Sequence, residues 1–193
     1  MKRKIITTGD GSKTIQIEGW DEQYHSKHGA VQEAYHVFME HGLRLFQNEE
    51  VKLLEIGFGT GLNALITLME APKQQLSVDY VGVEAFPVSM EEVGALDYCR
   101  QLEAEVHQAD FQKMHSSPWE ETVSITPGFS LLKQQKDFKE IDDQNSFNLI
   151  YFDAFGARVQ PELWTEGVFL KMYHALRQNG VLVTYAAKGS VRR

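Results

Sequence analysis

The stretch Val51-Lys-Leu-Leu-Glu55-Ile-Gly57-Phe-Gly59-Thr60-Gly61-Leu62-Asn63-Ala-Leu-Ile-Thr-Leu-Met69-Glu-Ala71 decides the fold. VKLLEIG is a short apolar run of strand length. LNALITLMEA, after the glycines, reads as a helix that must stop before Pro72, because proline disfavours helical backbone in the residue ahead of it. A buried strand, a glycine turn and a helix in direct succession make half of a βαβ unit. SVDYVGVEAF, FNLIYFDAF and GVLVTYAA supply further strands, with helical segments between them. Strands without polar alternation, separated by helices, imply a mostly parallel sheet covered on both faces. The expected class is therefore α/β, of the doubly wound kind.

Working outward, KIITTGDGSKTIQIEG predicts an N-terminal β-hairpin turning at Gly-Asp-Gly. QEAYHVFMEHGLRLF predicts a helix with Ala34, Val37, Phe38 and Leu45 on one face, and in QLEAEVHQADFQKMH the residues Leu102, Val106 and Ala109 follow helical spacing. WEETVSITPGF reads as an extra strand and turn ahead of FSLLKQQKD, itself a strand. No linker or repeat interrupts the chain. We expect one domain over 1–193, with the hairpin and helix in 1–50 and the sheet core in 51–193. The 193 residues suffice for one sizeable core.

Composition narrows the function classes. Apolar residues at 42% and charged residues at 24% exclude wholesale disorder. The longest apolar runs, Phe147–Phe152 and Gly180–Ala187, are far short of the roughly 18–20 residues of a membrane span, so no membrane partner is expected. MKRK has no apolar run behind it to make a secretory signal. One cysteine, Cys99, permits no internal disulfide and no zinc spacing, which fits a reducing cytoplasm; in a helix it reads as packing. His25, His28, His36 and His41 lie close in sequence but without an acidic or thiol partner at metal-ligand spacing, so surface or capping roles, and no metal, are expected. Met69, Met90 and Met114 read as core filler. The net charge is −8, yet residues 156–193 carry six basic side chains against two acidic ones. That end is either a solvated helix or a surface facing an anion.

The glycine loop carries the chemistry. Glycines between a strand and a helix let backbone approach a ligand, and the helix N-terminus favours negative charge. The order here is GxGxG, with Leu62 where a dinucleotide fingerprint needs its third glycine, and the phosphate-loop lysine is absent. Glu84 ends the next strand, 23 residues after Gly61, where an acidic side chain can accept hydrogen bonds from ribose hydroxyls. Asp110 and Asp137 compete for a further ligand position. Only Asp137 follows a strand's carboxyl end, where open α/β sheets bind ligands, so Asp137 is preferred.

The form Glu55-x-Gly57-x-Gly59-x-Gly61 resembles the nucleoside loop of Rossmann-like S-adenosylmethionine-dependent methyltransferases. Four further stretches narrow the resemblance: VEAFP, DAFGARVQPELWT, TYAAKGSVRR and YHSKHGAVQEAYHVF. Together they make most of the chain similar to the MnmC-type methyltransferases, which methylate 5-aminomethyluridine derivatives at the tRNA wobble position. The resemblance implies S-adenosyl-L-methionine as cofactor, held by Glu55, Gly57, Gly59, Gly61 and Asn63, with Glu84 at the ribose and Asp137 at the adenine. It implies Asp153 as the active-site aspartate, bordering both sulfonium and acceptor amine. Tyr24, Ser26 and Glu33 fall in the corresponding N-terminal segment. Phe155 and Trp164 are candidates to stack on a splayed-out base of the tRNA anticodon region, although Trp164 equally fits as packing for the helix begun by Pro161. Arg158, Lys188, Arg192 and Arg193 are candidates to meet phosphates.

Two departures accompany the resemblance. Nothing here matches the fused flavin-dependent oxidase domain of many members, so a stand-alone methyltransferase form is expected. The sequence also stops at Val191-Arg192-Arg193, before two further strands usual for this fold, so we expect truncation and an open sheet edge prone to self-association. An aspartate of ordinary pKa, near 3.9, takes up an ammonium proton poorly, so aiming the nitrogen is expected to be the main duty of Asp153. Competing readings are another amine methyltransferase or aminopropyl transferase on a small molecule, and a non-catalytic nucleoside- or RNA-binding module. An NAD-dependent oxidoreductase is disfavoured by Leu62.

Overall fold

A computed structural model describes residues 2–19, 22–26 and 28–186. Its strands are β1 (Arg3–Thr7), β2 (Lys13–Ile17), β3 (Glu22–Gln23), β4 (Glu50–Ile56), β5 (Ser77–Val83), β6 (Thr122–Thr126), β7 (Phe129–Gln134), β8 (Phe147–Phe152) and β9 (Leu176–Val183). Its α-helices are α1 (Ala30–Ala34), α2 (Leu62–Glu70), α3 (Met90–Leu96), α4 (Tyr98–Gln101), α5 (Gln108–Ser116) and α6 (Glu166–Ala175). The six-stranded sheet runs β6-β7-β5-β4-β8-β9, and only β6 is antiparallel to its neighbour. This is the mostly parallel α/β sheet read from the sequence. The hairpin β1–β2 also forms, with the short β3 added beside β2 as a third strand.

The uninterrupted apolar strands are explained by burial on both faces. Along β4, Val51 and Leu53 join one core cluster while Leu54 and Ile56 join the other; along β5, Val78 and Tyr80 divide from Val81 and Val83 in the same way. The first face is covered by α1, the turn after it and α2 to α5, through residues such as Phe38, Leu65, Leu96 and Phe111. The second is covered by α6, with Phe138, Ile141, Leu163 and Trp164. Strand alternation thus assigns successive side chains to opposite layers.

Several local readings are corrected. The helix expected over 32–46 is α only to Ala34. It continues as a π-turn over Tyr35–Glu40, and Leu45 lies in a separate 3₁₀ turn, 60% exposed. Gly42 marks the break: a Cβ there would stand 2.5 Å from the Phe38 carbonyl oxygen. Val106 and Ala109 do not face the core; Val106 is 83% exposed in a 3₁₀ turn, and α5 buries Phe111 and Met114 instead. Met90, read as core filler, is exposed on α3. β9 begins at Leu176 rather than Gly180. Its register against β8 jumps from Phe147↔Leu176 to Leu149↔Val181, with Asn179 at φ 65°, so the regular ladder is the apolar Val181-Leu182-Val183 end. Among the described residues β9 stands at the sheet's edge.

Candidate active site

The carboxyl ends of β4, β5, β7 and β8 converge on a cavity of about 300 Å³, lined among others by Tyr24, Glu55, Gly57, Gly59, Asn63, Glu84, Asp137, Asp153 and Phe155. The loop after β4 forms its floor. Gly57 has φ +91°, and a Cβ there would meet the Asp153 carbonyl oxygen at 2.7 Å, so glycine is required for both conformation and room. The loop is pinned from below, because the N–H groups of Gly57 and Phe58 both donate to the Val83 carbonyl. Glu84 pins it from the side: Oε2 accepts from Gly59 N at 2.9 Å and Oε1 from Phe86 N at 2.8 Å. Each oxygen keeps a second lone pair for a hydroxyl donor.

Asn63, in the first turn of α2, organises the opposite wall. Its Nδ2 donates one hydrogen to Glu55 Oε1 and the other to Asp153 Oδ2, both at 2.9 Å. Glu55 is buried in β4 and also accepts from the Tyr80 hydroxyl at 2.7 Å. Burial pushes its carboxyl up to about 8, against the pull of those two donors. Asp153 is pushed well above the carboxylate range too, first by burial and then by the negative charge of Glu55 and Glu33. Glu33, itself raised by burial, is held in place by the Ser26 N–H at 2.9 Å. Asp153 thus feels two acids, and it shares the Asn63 amide with one of them, Glu55. That amide's Oδ1 is buried without a partner among the described residues.

The other candidates sort as follows. Asp137 reaches the cavity as the cap of a 3₁₀ turn, its Oδ1 accepting from Lys139 N at 2.8 Å; Asp110 is turned away in α5 and pairs with His107. Gly61, expected at the ligand, is off the cavity wall: a Cβ there would meet His115 Nε2 at 2.7 Å, so it serves the turn into α2 at φ +73°. Phe155 lines the cavity and meets the Tyr24 ring edge-on at 5.0 Å. Trp164 does not line it. Its indole is buried against Phe152 and Phe169 and donates to the Phe155 carbonyl, so the packing reading holds and the stacking reading does not. Arg158 is exposed in the turn beyond and off the cavity wall; Lys188, Arg192 and Arg193 lie outside the described residues.

Sequence reasoning missed His25, which is not a surface residue. It is buried on the cavity wall with Nδ1 2.9 Å from Thr14 Oγ1, and burial pushes it down to about 4, so it is neutral near pH 7. Its place depends on β2, 11 residues earlier, and no local pattern signals it.

The site fits a nucleoside cofactor on its own geometry. Gly57 and Gly59 present bare backbone to the cavity, α2 begins without a side-chain cap, and the buried Asn63 Oδ1 has no partner among the described residues. Comparison with known proteins agrees. A family model described as S-adenosyl-L-methionine-dependent methyltransferase matches residues 95–193. Among curated relatives, the tRNA 5-methylaminomethyl-2-thiouridine biosynthesis bifunctional protein MnmC of Hydrogenovibrio crunogenus is 25% identical over all of this chain and 30% of its own length. The protein of the same description from Ralstonia nicotianae is 26% identical over 90% of this chain and 28% of its own. The chain thus spans about a third of the length of these relatives. The crystal structure of MnmC2 from Aquifex aeolicus superposes with a TM-score of 0.71 at 24% identity, covering 99% of this chain and 62% of that one, and shares its fold. With half of its length matching the family model and its glycine loop and acidic wall shaped for a nucleoside, the chain belongs to the S-adenosyl-L-methionine-dependent methyltransferases.

Proposed function

We propose that the chain methylates the primary amine of a 5-aminomethyl-2-thiouridine at the wobble position of a tRNA anticodon, in the cytoplasm, giving the 5-methylaminomethyl form. The charge of the cavity carries this reading. Among the described residues five carboxyl groups line it, three of them (Glu84, Asp137 and Glu162) beside Glu55 and Asp153, whose protons burial holds to higher pH, against one cationic side chain, Lys139. Such a wall opposes anionic acceptors and suits cationic ligands. When bound, S-adenosylmethionine supplies an electrophilic methyl on a sulfonium; an aminomethyl acceptor is an ammonium in water. The names of the MnmC relatives support tRNA as the bearer of that amine.

The acceptor nitrogen needs a free lone pair. An alkylamine with a pKa near 10.4 is neutral in about one molecule in a thousand near pH 7, which corresponds to roughly 4–5 kcal/mol of barrier. Asp153 answers this in two ways. Fixed by Asn63, it can aim the nitrogen. Raised by burial, Glu55 and Glu33, it is also a better proton acceptor than an ordinary aspartate, so proton uptake joins aiming rather than trailing it. Glu55 holds the second end of the Asn63 bridge.

The test supplies the chain with labelled S-adenosylmethionine and three acceptors: tRNA bearing 5-aminomethyl-2-thiouridine, the same tRNA without the aminomethyl group, and polyamines. Label entering only the first supports the proposal. Label entering polyamines instead, or no acceptor although the cofactor binds, overturns it.

A further inference from the structure

We propose that His36, Glu40 and His41 form a surface site for a divalent transition-metal ion of the zinc, nickel or cobalt type. The observation that carries this is the π-turn. In an α-helix of 3.6 residues per turn, positions i and i+5 lie about 140° apart around the axis, so His36 and His41 would point in different directions. Here the chain leaves α1 in a π-turn over Tyr35–Glu40, closed by His41 at φ −97° and ψ −3°. With i→i+5 bonding and roughly 4.4 residues per turn, positions i+4 and i+5 fall on either side of i, one turn on. Glu40 and His41 therefore both stand beside His36. This is the acidic partner that reading the histidine spacing alone does not supply.

The distances follow from that geometry. His36 Nδ1 is 3.3 Å from Glu40 Oε2, and the His36 and His41 rings approach to 5.0 Å between centroids. One donor atom from each of the three residues lies within 4.8 Å of the others. A tetrahedral ion with bonds of about 2.0–2.1 Å holds its donors roughly 3.3 Å apart, so the first pair already has the required separation. The His41 donor has at most 4.8 Å to close to that spacing, and all three side chains are exposed. Two imidazoles and one carboxylate select borderline ions over calcium or magnesium, which take oxygen ligands. Three protein ligands leave the remaining coordination to water. The second Glu40 oxygen lies 3.5 Å from Arg44 Nη1, an outer contact that orients the carboxylate while tempering its charge. His36 and Glu40 also line a cleft shared with Ser26, Glu33 and Tyr185.

The experiment titrates zinc chloride into the full chain by calorimetry and cobalt(II) by its visible d–d absorption, with circular dichroism confirming the fold of each variant. One saturable site is expected. Loss of an outer-shell partner alone costs about 10–100-fold in metal affinity, so His36→Ala and His41→Ala should each weaken binding at least about ten-fold, and Glu40→Gln should weaken it in the same direction. His107→Ala is the control. Its ring pairs with Asp110 at 3.0 Å in a turn that brings up only two ligands, and its loss should leave the titration unchanged. Three results overturn the proposal: no saturable binding by the unaltered chain, wild-type titration by the His36 and His41 variants, or equal loss in His107→Ala.

Discussion

The two walls of the cavity are built on different principles. The glycine-loop wall is mainly backbone: Gly57 lies under a carbonyl, and Gly59 and Phe86 give their N–H groups to Glu84. Its parts come from β4, the loop after it and the end of β5. The Asp153 wall is made of side chains from four distant segments, with Tyr24 and His25 near β3, Glu55 on β4, Asn63 on α2, and Asp153 and Phe155 after β8. Backbone binding demands particular torsions, and torsions leave a mark in sequence as glycine. Side-chain binding demands particular neighbours, and those exist only once the chain has packed. The first wall should therefore be brittle to small changes of shape, and the second sensitive to changes of charge.

Gly57→Ala should break the first wall outright. The residue sits at φ +91°, and the added Cβ would lie 2.7 Å from the Asp153 carbonyl oxygen, a backbone atom that cannot swing aside. Backbone strain of this kind costs about 1–3 kcal/mol before the steric overlap is counted. We expect S-adenosylhomocysteine binding to disappear in calorimetry, with a lowered melting temperature. Near-native affinity would show that the loop can reshape itself.

Asp153→Asn tests the second wall without altering its shape. Losing a positioned proton acceptor costs typically about 10²–10⁴-fold. We expect methyl transfer to an aminomethyl acceptor to fall by about 10²-fold in kcat, while cofactor affinity changes only a few-fold. A selective loss of cofactor binding instead would move Asp153 from acceptor chemistry to the nucleoside side.

This contrast also explains what the sequence makes legible. VKLLEIGFGTGLN discloses strand, loop and helix because apolar runs and glycines are local marks, and Glu84 is found by its distance from that loop. Asp137 lines the cavity and Asp110 does not, a difference in placement that strand ends signal locally as well. His25 is hidden because its buried ring meets Thr14 on β2, a neighbour that exists only after packing. Trp164 misleads in the opposite direction: an aromatic near a predicted catalytic aspartate suggests stacking, but α6 and Phe152 enclose it. The π-turn leaves no local signature at all. Its histidines look unrelated at α-helical spacing and become neighbours only when the turn widens.

Glu55→Gln addresses the electrostatic character of the second wall through stability. The buried acid is raised from 4.5 to about 8, so between those pH values the folded chain keeps a proton that the unfolded chain has released. Stability therefore falls as pH rises through this window. The amide cannot ionise and should remove part of that decline. We expect the variant to gain up to about 4 kcal/mol on the wild type between pH 5 and pH 8.5 in urea denaturation, from the linkage of that shift. Parallel pH profiles for the two proteins would mean that Glu55 ionises normally.

Arg3→Ala should have the smallest effect, and it asks whether the walls are mechanically joined. Arg3 Nη1 donates to the Pro87 carbonyl at 3.0 Å and to Glu92 at 3.3 Å, Nη2 donates to the Phe86 carbonyl, and the guanidinium lies over the Tyr24 ring at 5.9 Å. The N-terminal sheet is thereby tied to the segment after Glu84 and to the ring that packs on Gly59. Hydrogen bonds from a charged donor contribute about 1.5–3 kcal/mol when lost from buried positions, and partial exposure here reduces that to about 1 kcal/mol. If the tie sets the spacing between the walls, the variant should raise KM for the cofactor about five-fold and leave kcat within about two-fold, the split that marks uniform binding. A fall in kcat alone would mean that Arg3 acts through Tyr24 on the Asp153 wall. A loss of stability with neither constant changed would make it a staple of the N-terminal sheet.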